Sequence, residues 1–396
     1  MTISSEEYVA RLNRIRRRMA AEGLDALLVY SWKRGQVRYV SGYTPNYIAN
    51  AAMVVITHDQ APTLFIRFPF DLERARAMCW FEDVRASGDV AALGRDAVGR
   101  LRELGLDQGH IGLVSGDGTM DELPYTLYRQ LVDDAPSEWP SAEDGVPSEC
   151  PSKGYGLPQA TFSDARSLAM DLRLIKSPAE FKLLEQSARA ADAAVNAAGE
   201  AIAPGVDEYT LVSIAEAAAR STGADGYLVA IASRGSQELI GPPEHKTVER
   251  GAMVILEAAV QVNGYWTQVA RTFTAGAPTA DQQAIYTAAY RAYSAAVEAI
   301  HPRAPLHTLE SAAHAVLGNA GYADYIEHDV GHGIGLDLPE PPSVGPNATL
   351  PIQEGLVLVI HPAVRVPGVG GAFVGGTVLV SDRGPRAIHS IPERLT

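Results

Sequence analysis

The chain has 396 residues, 46% of them hydrophobic, and its 47 acidic and 33 basic residues give a net charge of −14. This charge argues against binding to nucleic acid or to an anionic membrane, and the length predicts two domains. The two cysteines form no disulfide or zinc motif, and no long apolar run opens the chain, so a cytoplasmic protein is expected.

The first half of the chain alternates helical and strand-like patterns. An amphipathic helix is predicted over 5–22 and ends at Gly23. Further segments are predicted as strands at 26–30, 52–57, 63–67 and 111–114, and as helices at 70–78 and 89–104. This alternation predicts an α/β domain over residues 1–165. The proline-rich stretch 136–158 is expected to be a loop or insertion.

The second half, residues 166–396, contains a repeated pattern. A long Ala-rich helix is predicted over 179–203, and its end, Ala201-Ile202-Ala203-Pro204, recurs as Ala299-Ile300-His301-Pro302. Each copy combines a helix end, a proline turn and a second helix. The repeat predicts two αα-ββ halves about a pseudo-twofold axis, with a site in the crevice between them.

Strand-like segments follow both helix pairs. Strands are predicted at 226–233 and 324–330, and hairpins join 252–260 to 265–274 and 356–364 to 373–381. Glu257 and His361 each end an apolar run. A buried polar side chain at such a place needs a hydrogen-bond partner or belongs to a site.

One motif places a histidine between glycines. It reads Asp329-Val330-Gly331-His332-Gly333-Ile334-Gly335-Leu336 and is followed by Glu340-Pro341-Pro342. Glycines allow close backbone packing, so His332 is expected to be delivered to a defined position.

Together these segments resemble the creatinase, prolidase and methionine aminopeptidase family, the M24-like proteins with a pita-bread fold. The resemblance covers almost the whole chain and includes the stretches Tyr8 to Gly42 and Leu172 to Pro178. It implies an α/β (α+β) protein with an N-terminal creatinase-like α/β domain and a C-terminal pita-bread domain. It also implies a homodimer in which one subunit's N-terminal domain closes the crevice of the other.

The same resemblance identifies where this chain departs from the family. The metallopeptidases of the family hold two metal ions with two Asp, one His and two Glu side chains. The corresponding positions here are Glu257, Gln268, His332, His361 and Gly375. Because two close cations need anionic bridges, no metal cofactor is predicted, although a single metal on Glu257, His332 and His361 remains an alternative.

The predicted function is a metal-independent hydrolase of a non-peptide C–N bond in a small amide, lactam or amidine. Creatinase, which works without metal, is the relative that suggests this chemistry. His332 and His361 would be acid and base, Glu257 would orient one of them, and Gln268 would hydrogen-bond a carbonyl or oxyanion. The alternatives are an inactive binding protein, a lyase or decarboxylase, and a mononuclear metallohydrolase.

Six further residues are predicted to contact a small-molecule substrate. Two lie close to the motif strands and four in the N-terminal domain: Tyr265, Arg271, Tyr47, Asn50, Arg67 and Phe68.

Overall fold

The computed structural model describes residues 3–32, 35–45, 51–115, 159–234 and 238–395, with a few isolated positions between 123 and 157. By internal contacts the chain forms two compact units, Ile3–Arg173 and Leu174–Thr396. Most of the predicted 136–158 insertion lies outside the described residues.

The first unit is an α/β unit, as the alternating pattern predicts. Its first helix, α1 (Ser5–Glu22), is capped by Ser4 and buries an apolar face. The other described helices here are α2 (Gly35–Ser41), α3 (Leu72–Met78), α4 (Val90–Glu103) and α5 (Arg166–Leu174).

A six-stranded mixed sheet forms the centre of this unit. Its strands are β1 (Ala26–Trp32), β2 (Ala51–Thr57), β3 (Thr63–Ile66), β4 (Val84–Ala86), β5 (His110–Ser115) and β6 (Thr161–Asp164). They lie in the order β4-β3-β2-β1-β5-β6. β1 is antiparallel to β2 and parallel to β5.

The second unit contains two helix pairs, as the sequence repeat predicts. The helices are α6 (Pro178–Glu200), α7 (Glu208–Ser221), α8 (Ala280–Glu298) and α9 (His307–Asn319). α6 packs on α7, and α8 packs on α9. α6 and α8 both begin with a capping box, built from Ser177 and Glu180 in one and from Thr279 and Gln282 in the other. Among the described helices, none is long and apolar enough to cross a membrane.

The strands of this unit form one large antiparallel sheet and a small two-stranded one. They are β7 (Gly226–Ala232), β8 (Met253–Val262), β9 (Tyr265–Thr274), β10 (Gly331–Gly333), β11 (Glu340–Val344), β12 (Val357–Ile360), β13 (Ala363–Val366), β14 (Gly370–Phe373), β15 (Gly375–Ser381) and β16 (Gly384–Ala387). The large sheet has the order β11-β10-β12-β15-β9-β8-β7, with β16 beside β15. β13 pairs with β14.

Two predicted strands differ from those observed. The predicted 356–364 strand is interrupted after Ile360, because Pro362 has no N–H to continue the ladder, and β13 starts a separate sheet. The predicted 324–330 strand begins as a short 3₁₀ helix, Ala323–Tyr325, and makes an isolated bridge from Ile326 to Val364. The neighbouring strand β10 starts only at Gly331.

The helices cover one face of the large sheet. Residues of α6 and α7 form a hydrophobic core with Val254, Leu256, Ala258 and Val260 of β8. Because side chains alternate along a strand, Glu257 lies on the opposite face. The fold therefore leaves this second face of β8 available for a site.

Candidate functional site

Glu257 and Gln268 lie next to each other on the face away from α6 and α7. In the β8–β9 register, Glu257 is opposite Ala270 and Ala259 is opposite Gln268, so both polar side chains are on the same face. Gln268 Nε2 donates a hydrogen bond to Glu257 Oε1. The predicted pair is therefore brought together by the hairpin.

Glu257 is the one residue of β8 that is not fully buried. It keeps some solvent-accessible surface, yet it lies deep enough that burial raises the pKa of its carboxyl, an effect that the hydrogen bond from Gln268 opposes. A group that is reachable but poorly solvated is typical of a binding site.

Gln268 is held from both its backbone and its side chain. Its N–H donates to Thr377 Oγ1 at 3.0 Å, and the same hydroxyl lies 3.2 Å from the Gln268 carbonyl, which accepts from it. Its side chain is buried, and Oε1 has no hydrogen-bond partner among the described residues. The unpartnered atom is thus an acceptor, whereas the predicted contact with a carbonyl or oxyanion would need the donor Nε2.

His332 and His361 come from neighbouring strands, β10 and the end of β12. Their ring centroids are 5.3 Å apart. Gly331 allows this approach, because a Cβ at that position would lie 2.0 Å from the carbonyl oxygen of Val359. The structure therefore also brings the two predicted histidines together.

The surroundings of His332 define which nitrogen carries the proton. Its Nδ1 lies 2.7 Å from the carbonyl oxygen of Gly333, which can only accept, so Nδ1 donates. In the neutral ring Nε2 is then the acceptor. Burial lowers the pKa of His332, so the neutral form is favoured.

His361 is buried, and neither of its ring nitrogens has a hydrogen-bond partner within the described part of the chain. Burial, and then the neighbouring His332 and His328, lower its pKa well below the ordinary value. The ring also packs against Phe373, at a centroid distance of 5.0 Å. The lowered pKa favours the neutral imidazole, and by geometry neither ring nitrogen makes a hydrogen bond with the described residues.

A third histidine, His328, belongs to this cluster and was missed by the sequence analysis. Its ring centroid lies 5.0 Å from that of His361, and the residue is exposed. Its Nδ1 lies 2.9 Å from the carbonyl oxygen of Asp329. The sequence indicated it only by its position shortly before His332, in the stretch 324–330 that was predicted to be a strand.

An apolar cluster borders the polar group on the same face of the sheet. It consists of Ala232, Ile255, Ala270, Ala363 and Phe373, with Leu239 and Ile240 packed against it. Polar and apolar side chains therefore lie side by side on this face of the sheet, a combination that small-molecule sites also have.

A buried ion pair holds the loop that follows His332. Lys176 Nζ lies 2.5 Å from Glu340 Oε1, and both side chains are 2% exposed. The N–H of Asp337 lies 3.4 Å from Glu340 Oε2, and Trp266 N–H donates to the Gly335 carbonyl at 2.6 Å. The chain on the C-terminal side of His332 is thus fixed by contacts within the fold.

The residues present do not fit a pair of divalent cations. Gln268 is a neutral amide bonded to Glu257, and Gly375 has no side chain. Over the part of the chain that the structure describes, no three residues of the types His, Cys, Asp and Glu come together so as to hold a metal. Two close cations need several anionic oxygens around them, and this site offers one carboxylate.

The position of Gly375 makes the difference from a two-metal site structural. A Cβ at this residue would lie 1.9 Å from the carbonyl oxygen of Ile360. The backbone therefore has no room for any larger residue here, and a glutamate could not be accommodated without moving β15.

Two of the predicted substrate contacts have partners within the fold. Tyr265 is 1% exposed and its hydroxyl donates to Glu180 Oε1 at 3.0 Å. Arg271 donates to Asn196 Oδ1 at 3.1 Å and to the backbone carbonyl of Ser390. Contact of either side chain with substrate stays a prediction.

The other four predicted substrate contacts lie in the N-terminal domain. Tyr47 and Asn50 lie outside the described residues. The Arg67 guanidinium lies 4.5 Å from the centre of the Phe68 ring, which stacks on Phe70. A substrate contact by Arg67 or Phe68 also stays a prediction.

Comparison with known families gives two matches. The model of metallopeptidase family M24 matches residues 182–382. That of the creatinase/prolidase N-terminal domain matches residues 11–143. The two matches occur in the order that the sequence motifs indicate.

Individual relatives point in the same direction. The Xaa-Pro dipeptidase of Pyrococcus furiosus is 32% identical over 237 residues, which are 59% of this chain and 68% of the relative. The prolidase structure from Pyrococcus horikoshii has a TM-score of 0.78 at 24% identity and covers 97% of this chain and 99% of its own. The Xaa-Pro dipeptidase structure from Bacillus anthracis has a TM-score of 0.79 at 23% identity and covers 98% of this chain and 99% of its own. The two solved structures establish the fold.

These relatives correct the predicted function. A metal-independent hydrolase of a non-peptide C–N bond was the wrong prediction, since the relatives are named as dipeptidases, which act on peptide bonds. The alternatives of a binding protein or a lyase gain no support from them either. The error arose because the bond to be cleaved was inferred from changed metal positions, and those positions do not determine the substrate.

Proposed function

The chain belongs to metallopeptidase family M24, a family of hydrolases, and on this premise we propose that it cleaves the peptide bond of short peptides, with Xaa-Pro dipeptides as the first candidates. The observation that carries the proposal is the histidine pair, His332 and His361. His361 packs on Phe373, which shares an apolar cluster with Ala270, the residue opposite Glu257. A neutral imidazole can accept a proton through its unprotonated nitrogen and donate a hydrogen bond through its N–H.

The proposed roles follow from the hydrogen bonds. His332 donates through Nδ1 to Gly333, so its Nε2 can accept a proton from the attacking water and deliver it to the leaving nitrogen. The N–H of His361 can donate to the carbonyl oxygen, where negative charge develops as water adds. No step is assigned to a metal, because the donor set does not fit a metal pair.

Release of free proline from Ala-Pro, measured by chromatography, tests this function. Because general acid–base catalysis contributes about 10²–10⁴-fold, His332→Ala should lower kcat/KM by that order. His361→Ala should lower kcat more than it raises KM, since its proposed contact strengthens as charge develops. The matched control is His301→Ala, an exposed histidine in the turn between α8 and α9.

Two results would count against the proposal. One is the absence of dipeptide hydrolysis by the full chain, both after chelation and with added manganese, cobalt or zinc. The other is hydrolysis that His332→Ala leaves at the level of the His301→Ala control.

A further inference from the structure

A groove of about 630 Å³ lies between α8 and the end of α9, and we call it the α8–α9 groove. Ala280, Ala284, Thr287 and Arg291 line it from α8, and Val316 lines it from α9. The four α8 residues are spaced three or four apart, so they lie on one side of the helix. The groove therefore follows α8 for about three turns.

The α8–α9 groove is separate from the candidate active site. The inner sides of α8 and α9 form a hydrophobic core with Val378 of β15. The neighbouring residue, Thr377, lies on the other face of the sheet, where it bonds to the backbone of Gln268. Binding in the groove therefore does not depend on the proposed peptidase reaction.

Arg291 gives the groove a positive charge. Its guanidinium makes no ion pair or hydrogen bond with the described residues, and none of the described residues that line the groove carries a carboxylate. One turn earlier, Thr287 Oγ1 accepts from Gln283 Nε2 at 3.2 Å, and its own hydroxyl hydrogen has no acceptor within the described chain. One end of the groove thus offers a charge and unused donors, although the chain as a whole is at −14.

The other helix pair of the repeat has a different lining. When the last residues of α6 and α8 are matched, Ala284 corresponds to Gln186 and Thr287 to Arg189. α6 thus has long side chains where α8 has short ones. The repeated fold does not require short side chains at these positions, so the open space is a property of the α8 sequence.

We propose that the α8–α9 groove binds a small organic acid with an apolar body. Its carboxylate accepts from Arg291 and from the Thr287 hydroxyl, because a guanidinium can donate two parallel N–H bonds to one carboxylate. Its hydrocarbon part lies along Ala284, Ala288 and Val316. The volume is within the range of ligand pockets, about 300–1,000 Å³. A bare inorganic anion would leave the apolar part of the groove unused.

Calorimetry with the full chain tests the ligand class, with octanoate as the probe. Octanamide lacks the charge and acetate lacks the apolar body, so each should bind at least about tenfold more weakly than octanoate. A carboxylate of this kind has two sources, a fatty acid and the carboxyl terminus of an apolar peptide. Acetyl-Ala-Leu is the probe for the second source, and the tighter of the two binders identifies which source the groove prefers.

The charge is tested by Arg291→Leu. This variant keeps an apolar side chain and removes the guanidinium, so it should weaken octanoate about tenfold and leave octanamide unchanged. Arg189→Leu, at an exposed arginine of α6, is the matched control. Hydrolysis of Ala-Pro should be unchanged in Arg291→Leu, which separates this inference from the proposed function.

The space is tested by Ala284→Gln, which introduces the residue that α6 carries at the corresponding position. Its side chain should occupy the groove and weaken octanoate at least about tenfold, with Arg291 still present. Ala217→Gln, at an exposed alanine of α7, is the matched control. A thermal melt of each variant confirms that it is folded.

Nuclear magnetic resonance of alanine-methyl-labelled protein locates the ligand. Octanoate should shift the methyl signals of Ala284 and Ala288. Shifts confined to alanines outside the groove, or no detectable binding of octanoate at millimolar concentration, would overturn the proposed site. Equal affinity for octanoate and octanamide, or octanoate affinity unchanged in Arg291→Leu, would overturn the assignment of a carboxylate ligand.

Discussion

Two buried polar pairs of the second unit, Lys176–Glu340 and Glu257–Gln268, differ in how their charges are compensated. In the first, an ammonium and a carboxylate lie 2.5 Å apart, and both side chains are 2% exposed. In the second, the side-chain hydrogen bond to the carboxyl group comes from a neutral amide, and the amide oxygen has no partner among the described residues. The first pair is complete and supports the loop after His332. The second is incomplete, which is what a ligand site requires.

Breaking the complete pair, Lys176–Glu340, should have the largest effect on the free energy of unfolding. Lys176→Met removes the cation that compensates Glu340 and should lower the free energy of unfolding by about 3–5 kcal/mol. Urea denaturation measures this loss of stability, and Lys182→Met, on the exposed side of α6, is the control. A loss no greater than that of the control would show that the pair does not stabilise the fold.

Adding a methyl group beside the site should have the next largest effect. Gly375→Ala places a Cβ where the Ile360 carbonyl oxygen lies, so β12 and β15 must separate, at about 1–3 kcal/mol. Gly345→Ala, where a Cβ meets nothing within 4 Å, is the matched control for the same unfolding measurement. Equal stabilities of the two variants would mean that position 375 tolerates a side chain.

Neutralising Glu257, the carboxyl group of the incomplete pair, should have a small effect on the free energy of unfolding, and it should stabilise the fold rather than destabilise it. Burial raises the pKa of Glu257, so the folded state holds this proton more tightly than the unfolded state. Wild-type stability should therefore decline as pH rises from the ordinary carboxyl pKa through the raised one. Glu257→Gln should remove this decline and raise the free energy of unfolding at neutral pH. Destabilisation by Glu257→Gln at neutral pH, relative to Glu354→Gln at an exposed position, would contradict the contrast between the two pairs.

Adding a metal ion should have the smallest effect on the stability of the fold. A cation bound only by the folded state at 100 times its Kd would add about 2.7 kcal/mol of stability. Because the donor set does not fit a metal pair, Tm should be the same after chelation and after manganese, cobalt or zinc is added. An increase in Tm that disappears in His332→Ala would instead establish a metal site.

The sequence was a good guide wherever local pattern determined the structure. The β8–β9 hairpin follows from two apolar runs, and its register places Glu257 and Gln268 on one face. The glycines around His332 predicted that it occupies a defined position, and the family motifs predicted the fold. These features depend on neighbours in the chain or on a motif of fixed spacing.

What the sequence could not supply depends on contacts between distant segments. His328 joins the site because its segment packs beside His361. Tyr265 and Arg271 find partners on α6 and near the C-terminus, at Glu180, Asn196 and Ser390. The substrate was predicted wrongly for a related reason, since the metal positions alone do not describe the molecule that binds.

The capping box of α6 has a consequence for the dynamics of this unit. Glu180 accepts from the Ser177 N–H at 2.9 Å through one carboxylate oxygen and from the Tyr265 hydroxyl at 3.0 Å through the other. One side chain therefore joins the start of a long helix to a central strand. The first turn of α6 cannot fray without releasing Tyr265, so amide hydrogen exchange at Ser177 reports opening of the helix–strand contact rather than fraying of a helix end.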